Sequence, residues 1–470
     1  MKPKHFHFSG ICGTGMASLA VLLKNRGHKI TGSDENIYPP MSTFLEENQI
    51  EILTPYQASN LHPSPDSVVI GNSLSRGNPE IEYALEAHLP YISMAELLKD
   101  SFIRGNTSIV IAGTHGKTTT TSLTAHVFTE CGLKSGFMIG GIPENFGTSS
   151  RDVEKGNYFI VEGDEYDTCF FDKRSKFFHY LPDRLILTSI EFDHADIFEN
   201  IDQIKSSFKL MLRQIPKNGL IVVNGDDENA VEVAKSGFTP YISFGADHSN
   251  DAVIKNCRPS CDSRGMSFDL SYRGQTYPFS IPLLGEFNVR NAVSVILLAL
   301  HEGVDVNSIQ KALNSFKNVR RRQQLLTQNP SIQVFDDFAH HPTAIYETIT
   351  AIRHSWPDSR IHAIYEARTA TSIRHHHQDR MASAFQSADS VVFYKLHGQG
   401  RIDPDQRLDL ERIVDELKSD HKEARLIVDL DAILTHCISI ARAGDLFLFM
   451  SNGAFGGIQH QLAATLDERC

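Results

Sequence analysis

Cysteine, tryptophan and long apolar runs are what this sequence is short of: 470 residues hold seven cysteines and one tryptophan. The cysteines are scattered and odd in number, and the one close pair, Cys257 and Cys261, has no companion pair at zinc-site spacing. That argues against a disulfide scaffold or a structural zinc site and for reduced thiols in a cytoplasmic compartment. The longest clean apolar run, near Ala292–Leu300, is about half of what a bilayer span requires. His5–Gly10 reads as a strand entering a glycine turn, so the N-terminus is expected to be fold and not a targeting signal. Basic residues are in deficit, 45 against 57 acidic ones, which argues against a dedicated nucleic-acid surface. The balance still allows anionic ligands held by backbone amides. Oligomeric state is not legible.

What is present is an alternation of short apolar strands with amphipathic helices, the pattern of parallel sheets with helical crossovers. Strands are expected at His5–Ser9, Lys29–Thr31, Ser67–Ile70 and Tyr91–Ser93. A second series falls at Ser108–Ala112, Tyr158–Glu162, Arg184–Thr188 and Leu220–Asn224. A third falls at Gln333–Asp336, Arg360–Tyr365, Ser390–Tyr394, Arg425–Val428 and Leu446–Met450. Met266–Tyr272 and Gln275–Ile281 flank Arg273-Gly274 and read as an inserted hairpin. Three α/β domains are expected: a Rossmann-like domain over 1–105, a central phosphate-loop ATPase-type domain with a small β insertion over 106–318, and a Rossmann-like domain over 319–470.

Two glycine loops follow strands. The first, Gly10-Ile11-Cys12-Gly13-Thr14-Gly15-Met16, lets backbone amides and a helix N-terminus approach a negative group, and Asp34 stands where a carboxylate takes ribose hydroxyls. Alone it suggests a nicotinamide dehydrogenase, another nucleotide site, or a tight turn without ligand. The second, Gly113-Thr114-His115-Gly116-Lys117-Thr118-Thr119, lies between a strand and a helix expected over Thr119–Thr129, and is much more specific. Its amides form an anion cradle, Lys117 can reach terminal phosphates, and a threonine hydroxyl can ligate magnesium. Ile111 stands where the first glycine of such loops normally falls. A dehydrogenase has no use for this second loop, whereas an enzyme spending ATP on a nucleotide-linked substrate uses both. A non-catalytic nucleotide-binding regulator would show an eroded lysine or metal ligand, yet Lys117, Thr118 and Glu162 are all present.

Glu162 ends a buried strand beside that loop, a good position for magnesium; Glu165 and Asp167 fit a solvated acidic loop equally well. His194 on chemical grounds is a structural histidine, since magnesium prefers oxygen. Asn288 and Asn291 open a helix, either as caps or as amides presented to a base edge. Arg320, Arg321 and Arg322 suit a phosphate, with at least one a solvated linker residue. His375, His376 and His377 cannot all face one ion on a regular element and read as a solvated loop.

The Gly-Thr-x-Gly-Lys-Thr-Thr core at 113–119 resembles that of the Mur ligases, which build peptidoglycan precursors, and the resemblance runs over essentially the whole chain. Gly32–Thr43, Asp172–Phe177, Asp336–Thr343 and Met450–Gly457 look more like the peptide-joining branch, which serves cell-wall recycling, than the L-alanine-adding branch. The resemblance implies an ATP- and magnesium-dependent ligase that activates UDP-N-acetylmuramate as an acyl phosphate and joins it to a cell-wall peptide. The alternative it leaves is joining to L-alanine. By it the three domains bind UDP-sugar, ATP and peptide. Gly10, Gly13, Thr14, Gly15, Met16 and Asp34 then face UDP, and Asn288, Asn291 and Asp336 join the ATP site. Glu162 becomes a metal ligand and His194 a ligand at a second magnesium. Arg321 and Arg322 meet the transferred phosphoryl group, and His340, His341, Arg368 and Asn452 meet acceptor or phosphate. Phe287 departs from the family's usual histidine, and Glu366-Ala367-Arg368-Thr369-Ala370-Thr371 replaces a Glu-Pro-Arg-Ser-like segment.

Overall fold

The computed structural model describes residues 2–37, 41–261, 264–328, 331–396 and 402–468, so Tyr38-Pro39-Pro40 of the Gly32–Thr43 segment lies outside the described residues. They gather into two compact units: Met1–Ile190 with Asp202–Ala252 and Ser294–Ala312, and Glu191–Ile201 with Val253–Val293 and Leu313–Cys470.

The first unit holds two larger sheets beside the short antiparallel pair Asp167–Cys169 and Asp172–Ser175. In one, Ile52–Leu53, Lys29–Ser33, His5–Ser9, Ser67–Ile70 and Tyr91–Ser93 lie side by side and parallel. The order reverses at His5–Ser9, which opens a crevice at the strands' C-terminal ends. In the other, Tyr241–Gly245, Leu220–Asn224, Arg184–Leu187, Thr107–Ala112, Tyr158–Gly163 and Ser135–Met138 are parallel neighbours, and Ser150–Arg151 closes the edge antiparallel. Both faces are covered, so these strands read as continuous apolar runs such as Ile109–Ala112. Within this unit Arg26 pairs with Asp152 at 2.5 Å and lies 3.9 Å over the Phe102 ring, while Ser18 and Ser149 hydroxyls meet at 2.8 Å.

The second unit has a six-stranded sheet in the order Gln324–Leu325, Gln333–Asp337, Asp445–Met450, Arg360–Tyr365, Ser390–Tyr394 and Glu423–Ile427, parallel except at the first pair. The central strand shows the period of two: Leu446, Leu448 and Met450 enter one core, and Phe447 and Phe449 enter the other. The hairpin pairs Met266 with Ile281 through Tyr272 with Gln275. Arg273 and Gly274 both have positive φ, the turn that matches strand twist. Among the described residues no helix is long and apolar enough to cross a membrane.

Candidate functional site

Strand Thr107–Ala112 ends in the second glycine loop, and helix Lys117–Glu130 leaves it. A β-carbon on Gly113 would sit 2.2 Å from Thr188 Oγ1 and 2.7 Å from Ser189 O, so only glycine lets the loop lie this close to the next strand's end. Gly116 caps the helix in the left-handed region, φ 80°. Thr114 and His115 donate their amides to Ser189 O and Ser189 Oγ, and Thr188 Oγ1 donates to His115 O at 2.6 Å. The loop is therefore fixed before any ligand arrives. Thr119, with Thr118, opens the helix and is buried.

Lys117 Nζ lies 2.8 Å from Glu165 Oε2 and donates to Gly113 O at 2.7 Å. Burial alone would lower this ammonium's pKa, but Glu165, Asp164 and Glu162 outweigh it and hold the group charged. Glu165 is thereby a site residue that the sequence reading left beside Asp167 as a possible solvated carboxylate. It is buried, whereas Asp167 pairs with the exposed Lys173. Thr118 Oγ1 donates to Glu162 Oε2 at 3.2 Å, and Gly140 N–H donates to Glu162 Oε1 at 2.7 Å. A hydroxyl in the first turn of the helix and a carboxylate oxygen at the end of the neighbouring strand, at that spacing, form an all-oxygen donor pair that fits magnesium.

The first glycine loop follows His5–Ser9. Gly10 has φ +85°, and its amide donates to Ser33 O at 2.8 Å. Gly13 caps helix Thr14–Asn25, with Met16 buried on it and Gly15 beside it. Asp34 accepts the amides of Cys12, Glu35 and Asn36 at 2.9, 2.8 and 2.9 Å, and the Tyr56 hydroxyl at 3.3 Å. The carboxylate thus braces the loop itself. Burial, then Asp34, pushes the Cys12 thiol up to about 11.

In the second unit, Asn288 and Asn291 lie inside helix Glu286–His301, which starts before them, so neither is its cap. Asn291 Nδ2 donates to Asn288 Oδ1 at 3.1 Å, and Asn288 Nδ2 donates to Leu284 O at 2.8 Å. Phe287 packs against the core that contains Leu284, Ala351 and Tyr365. Arg321, at φ +62°, donates to Ser451 O at 2.6 Å and to Gly453 O, and lies 3.5 Å from Asp336. Burial pushes the Asp336 carboxyl up against Arg321's opposing charge. Arg322 lies over the Phe338 ring at 4.5 Å, and Arg320 is exposed. Arg368 packs against Gly453, where a β-carbon would meet its guanidinium at 2.3 Å. Asn452 lies between Ser451, whose hydroxyl donates to Glu366 at 2.6 Å, and Gly453. The structure thus gathers Arg321, Asp336, Arg368 and the Asn452 turn at the C-terminal ends of adjacent strands.

His194 sits at φ +57°, its amide donating to Asp193 Oδ1 at 2.7 Å. Burial raises the Asp193 carboxyl's pKa, but His194, His340 and His341 outweigh it and leave it lowered. His340 Nδ1 meets Phe338 O at 3.0 Å, and His341 caps helix Pro342–Ser355 by accepting the Thr343 amide. The histidine run departs from a solvated loop. His375–His377 is a turn of 3-10 helix that carries His377 inward, edge-on to His341 at 4.5 Å between centroids.

Fold and site together define an α/β nucleotide-binding type of protein with a phosphate loop on a parallel sheet. The Mur ligase family, catalytic domain, matches residues 5–104; the Mur ligase middle domain matches 111–299; and the Mur ligase, glutamate ligase domain, matches 321–453. The chain belongs to the Mur ligase family. It is 41% identical over 98% of both chains to UDP-N-acetylmuramate–L-alanyl-γ-D-glutamyl-meso-2,6-diaminoheptandioate ligase of Haemophilus influenzae. It is 30% identical to UDP-N-acetylmuramate–L-alanine ligase of a Psychrobacter species, over 98% of this chain and 95% of that one. The crystal structure of a murein peptide ligase from Psychrobacter arcticus superposes with a TM-score of 0.73 at 36% identity, covering 99% of each chain.

Proposed function

We propose that this ligase joins the carboxylate of UDP-N-acetylmuramate to the amine of L-alanyl-γ-D-glutamyl-meso-diaminopimelate at the expense of ATP, in the cytoplasm, as a step of peptidoglycan recycling. The arrangement that carries the ATP part is Lys117 and the Thr118–Glu162 pair at the C-terminal ends of adjacent parallel strands. The acceptor rests on the greater full-length identity to the peptide-joining relative than to the L-alanine-joining one. Residues 1–105, 106–318 and 319–470 are assigned to UDP-sugar, ATP and acceptor.

A carboxylate does not condense with an amine unaided. Transfer of the γ-phosphoryl group to a carboxylate oxygen gives an acyl phosphate and ADP. The amine then attacks the acyl carbon, the carbon–oxygen bond breaks, and phosphate leaves with that electron pair. The protein's task is to position groups, neutralise charge and exclude water. The amides of Gly113–Thr119 and the Lys117 ammonium cradle the phosphates, with Lys117 exchanging its Glu165 partner for them. Thr118 and Glu162 would hold one magnesium and His194 would ligate a second, the metal supplying positive charge to the phosphate oxygens. Asn288, Asn291 and Asp336 contact the nucleoside of ATP. Arg321 and Arg322 stabilise the phosphoryl group, and His340, His341, Arg368 and Asn452 contact acceptor or phosphate. Gly10, Gly13, Thr14, Gly15 and Met16 face the UDP group, and Asp34 holds their loop.

The test is phosphate release from ATP and magnesium with UDP-N-acetylmuramate, comparing the tripeptide with L-alanine. Release that requires the tripeptide is expected, and Lys117→Ala should slow it by about a hundredfold or more. Release with L-alanine alone would move the chain to the biosynthetic reaction. Undiminished turnover in the lysine variant would refute the phosphate-loop reading.

A further inference from the structure

The four residues from Glu191 to Ala195 that flank His194 are each engaged or buried within the second unit. Glu191 accepts the Thr343 hydroxyl at 2.9 and 2.8 Å through its two oxygens. Arg380 donates to Glu191 at 2.8 Å and to the same Thr343 hydroxyl at 2.9 Å, so its fork closes a triangle over the carboxylate. The Phe192 ring meets His376 edge-on at 6.0 Å. Asp193 is buried, and the Ala195 amide donates to Thr371 Oγ1 at 3.0 Å. Three of these partners, Thr371, His376 and Arg380, come from one stretch of twelve residues or fewer. That stretch is itself stiff: Ser372's amide and hydroxyl bond Thr369 Oγ1 at 3.0 and 2.8 Å, and Ile373 and Arg374 amides close turns on Thr369 and Thr371.

His194, between these anchors, adopts a left-handed backbone that a residue with a β-carbon holds only when its surroundings impose it. We propose that Thr369–Arg380 is a positioning bracket for the His194 backbone, with Thr371, His376 and Arg380 as positioning residues. The bracket begins in the segment where this sequence departs from its resemblance, Glu366–Thr371, so that departure bears on the histidine loop as well as on any acceptor contact. It acts as outer partners of a metal ligand do, fixing orientation without touching the ion. The inference rests on the metal role proposed for His194, and its test separates the two.

Arg380→Ala combined with Thr371→Val, a near-isosteric change at the buried position, removes both polar anchors; Arg380→Lys and His194→Ala serve as controls. Hydrogen–deuterium exchange of the 190–197 amides and the magnesium dependence of tripeptide-stimulated phosphate release are read together. Expected are faster exchange and a magnesium requirement raised about tenfold, an unchanged KM for UDP-N-acetylmuramate, and partial recovery with lysine. Unchanged exchange in the folded double variant overturns the bracket. Faster exchange with an unchanged magnesium requirement, where His194→Ala raises it, overturns the positioning role. If His194→Ala itself leaves the requirement unchanged, the metal reading fails and takes the positioning role with it, whatever the exchange shows.

Discussion

Lys117 and Glu165 are almost out of water, 16% and 3% exposed in their side chains. An ion pair so placed contributes little net stability, yet losing one partner leaves a charge buried alone. Glu165→Leu should therefore cost about 3–5 kcal/mol, and Lys117→Met with Glu165→Leu should regain most of that, as urea midpoints would read. The sequence could not rank Glu165 above Asp167, because burial of a loop carboxylate is decided by the fold. Lys117 was legible as a candidate because a strand and a helix bracket its loop, and Glu162 because it comes at the end of an apolar strand. Asn288 and Asn291 had a cap as their alternative until the helix start at Glu286 excluded it. Asp164 adds a titration. Burial pushes its carboxyl up, but Lys176 at 2.6 Å outweighs this and holds it at about 2 against an ordinary 3.8. A depressed carboxyl contributes stability above its unfolded pKa and loses it as pH falls through the folded one. Lys176→Met should be destabilised relative to wild type above about pH 4, and the difference should close by about pH 2.

Helix Lys117–Glu130 is the element that sequence statistics favour least, a run of β-branched threonines with no apolar stripe, buried from Thr118 to Phe128. It is tolerated because its hydroxyls turn back on the helix. Thr121, Ser122, Thr124 and Thr129 each donate to the carbonyl four residues earlier at 2.7 Å. The fully buried Thr120 hydroxyl has no hydrogen-bond partner among the described residues. Valine is nearly isosteric, so the two positions should diverge. Thr120→Val is expected to stabilise by about 1 kcal/mol by removing an unsatisfied buried hydroxyl, whereas Thr124→Val should be neutral or destabilising by a similar amount. Thermal denaturation compares them. The phosphate-loop motif made this helix readable; its composition alone would not have. Strands with an apolar run, as at Leu220–Asn224, or with alternation, as at His5–Ser9 and the hairpin at 266–281, were equally readable. Among those that escaped were strands two residues long, as at Ile52–Leu53, longer ones at Tyr241–Gly245 and Ala252–Pro259, and one broken by glycine at Ser135–Met138. There a β-carbon on Gly136 would fall 2.8 Å from Arg151 O, so the glycine marks the close strand approach that hid the strand.

At the scale of the whole chain, the family boundaries and the compact units differ, and the difference predicts how the molecule melts. Three Mur ligase domains tile the sequence, but the first two fall largely in one unit, where Arg26 and Ser18 tie the two sheets together. That coupling was invisible in the sequence, since Arg26 and Asp152 lie 126 residues apart. Two calorimetric transitions are expected, one per unit, in place of three. A ligand stabilises the unit that binds it, by about 2.7 kcal/mol at a hundred times its dissociation constant. The first glycine loop lies wholly in the first unit, so UDP-N-acetylmuramate should raise one transition and leave the other. ATP, proposed to meet Lys117 in the first unit, should raise that transition, and Lys117→Ala should abolish the rise. Calorimetry on the full chain with each ligand decides it. If UDP-N-acetylmuramate moves both transitions, the units unfold as one, and the compact-unit division carries no thermodynamic meaning. If ATP still raises that transition in Lys117→Ala, the ammonium contributes nothing to nucleotide binding, and its pairing with Glu165 is structural alone.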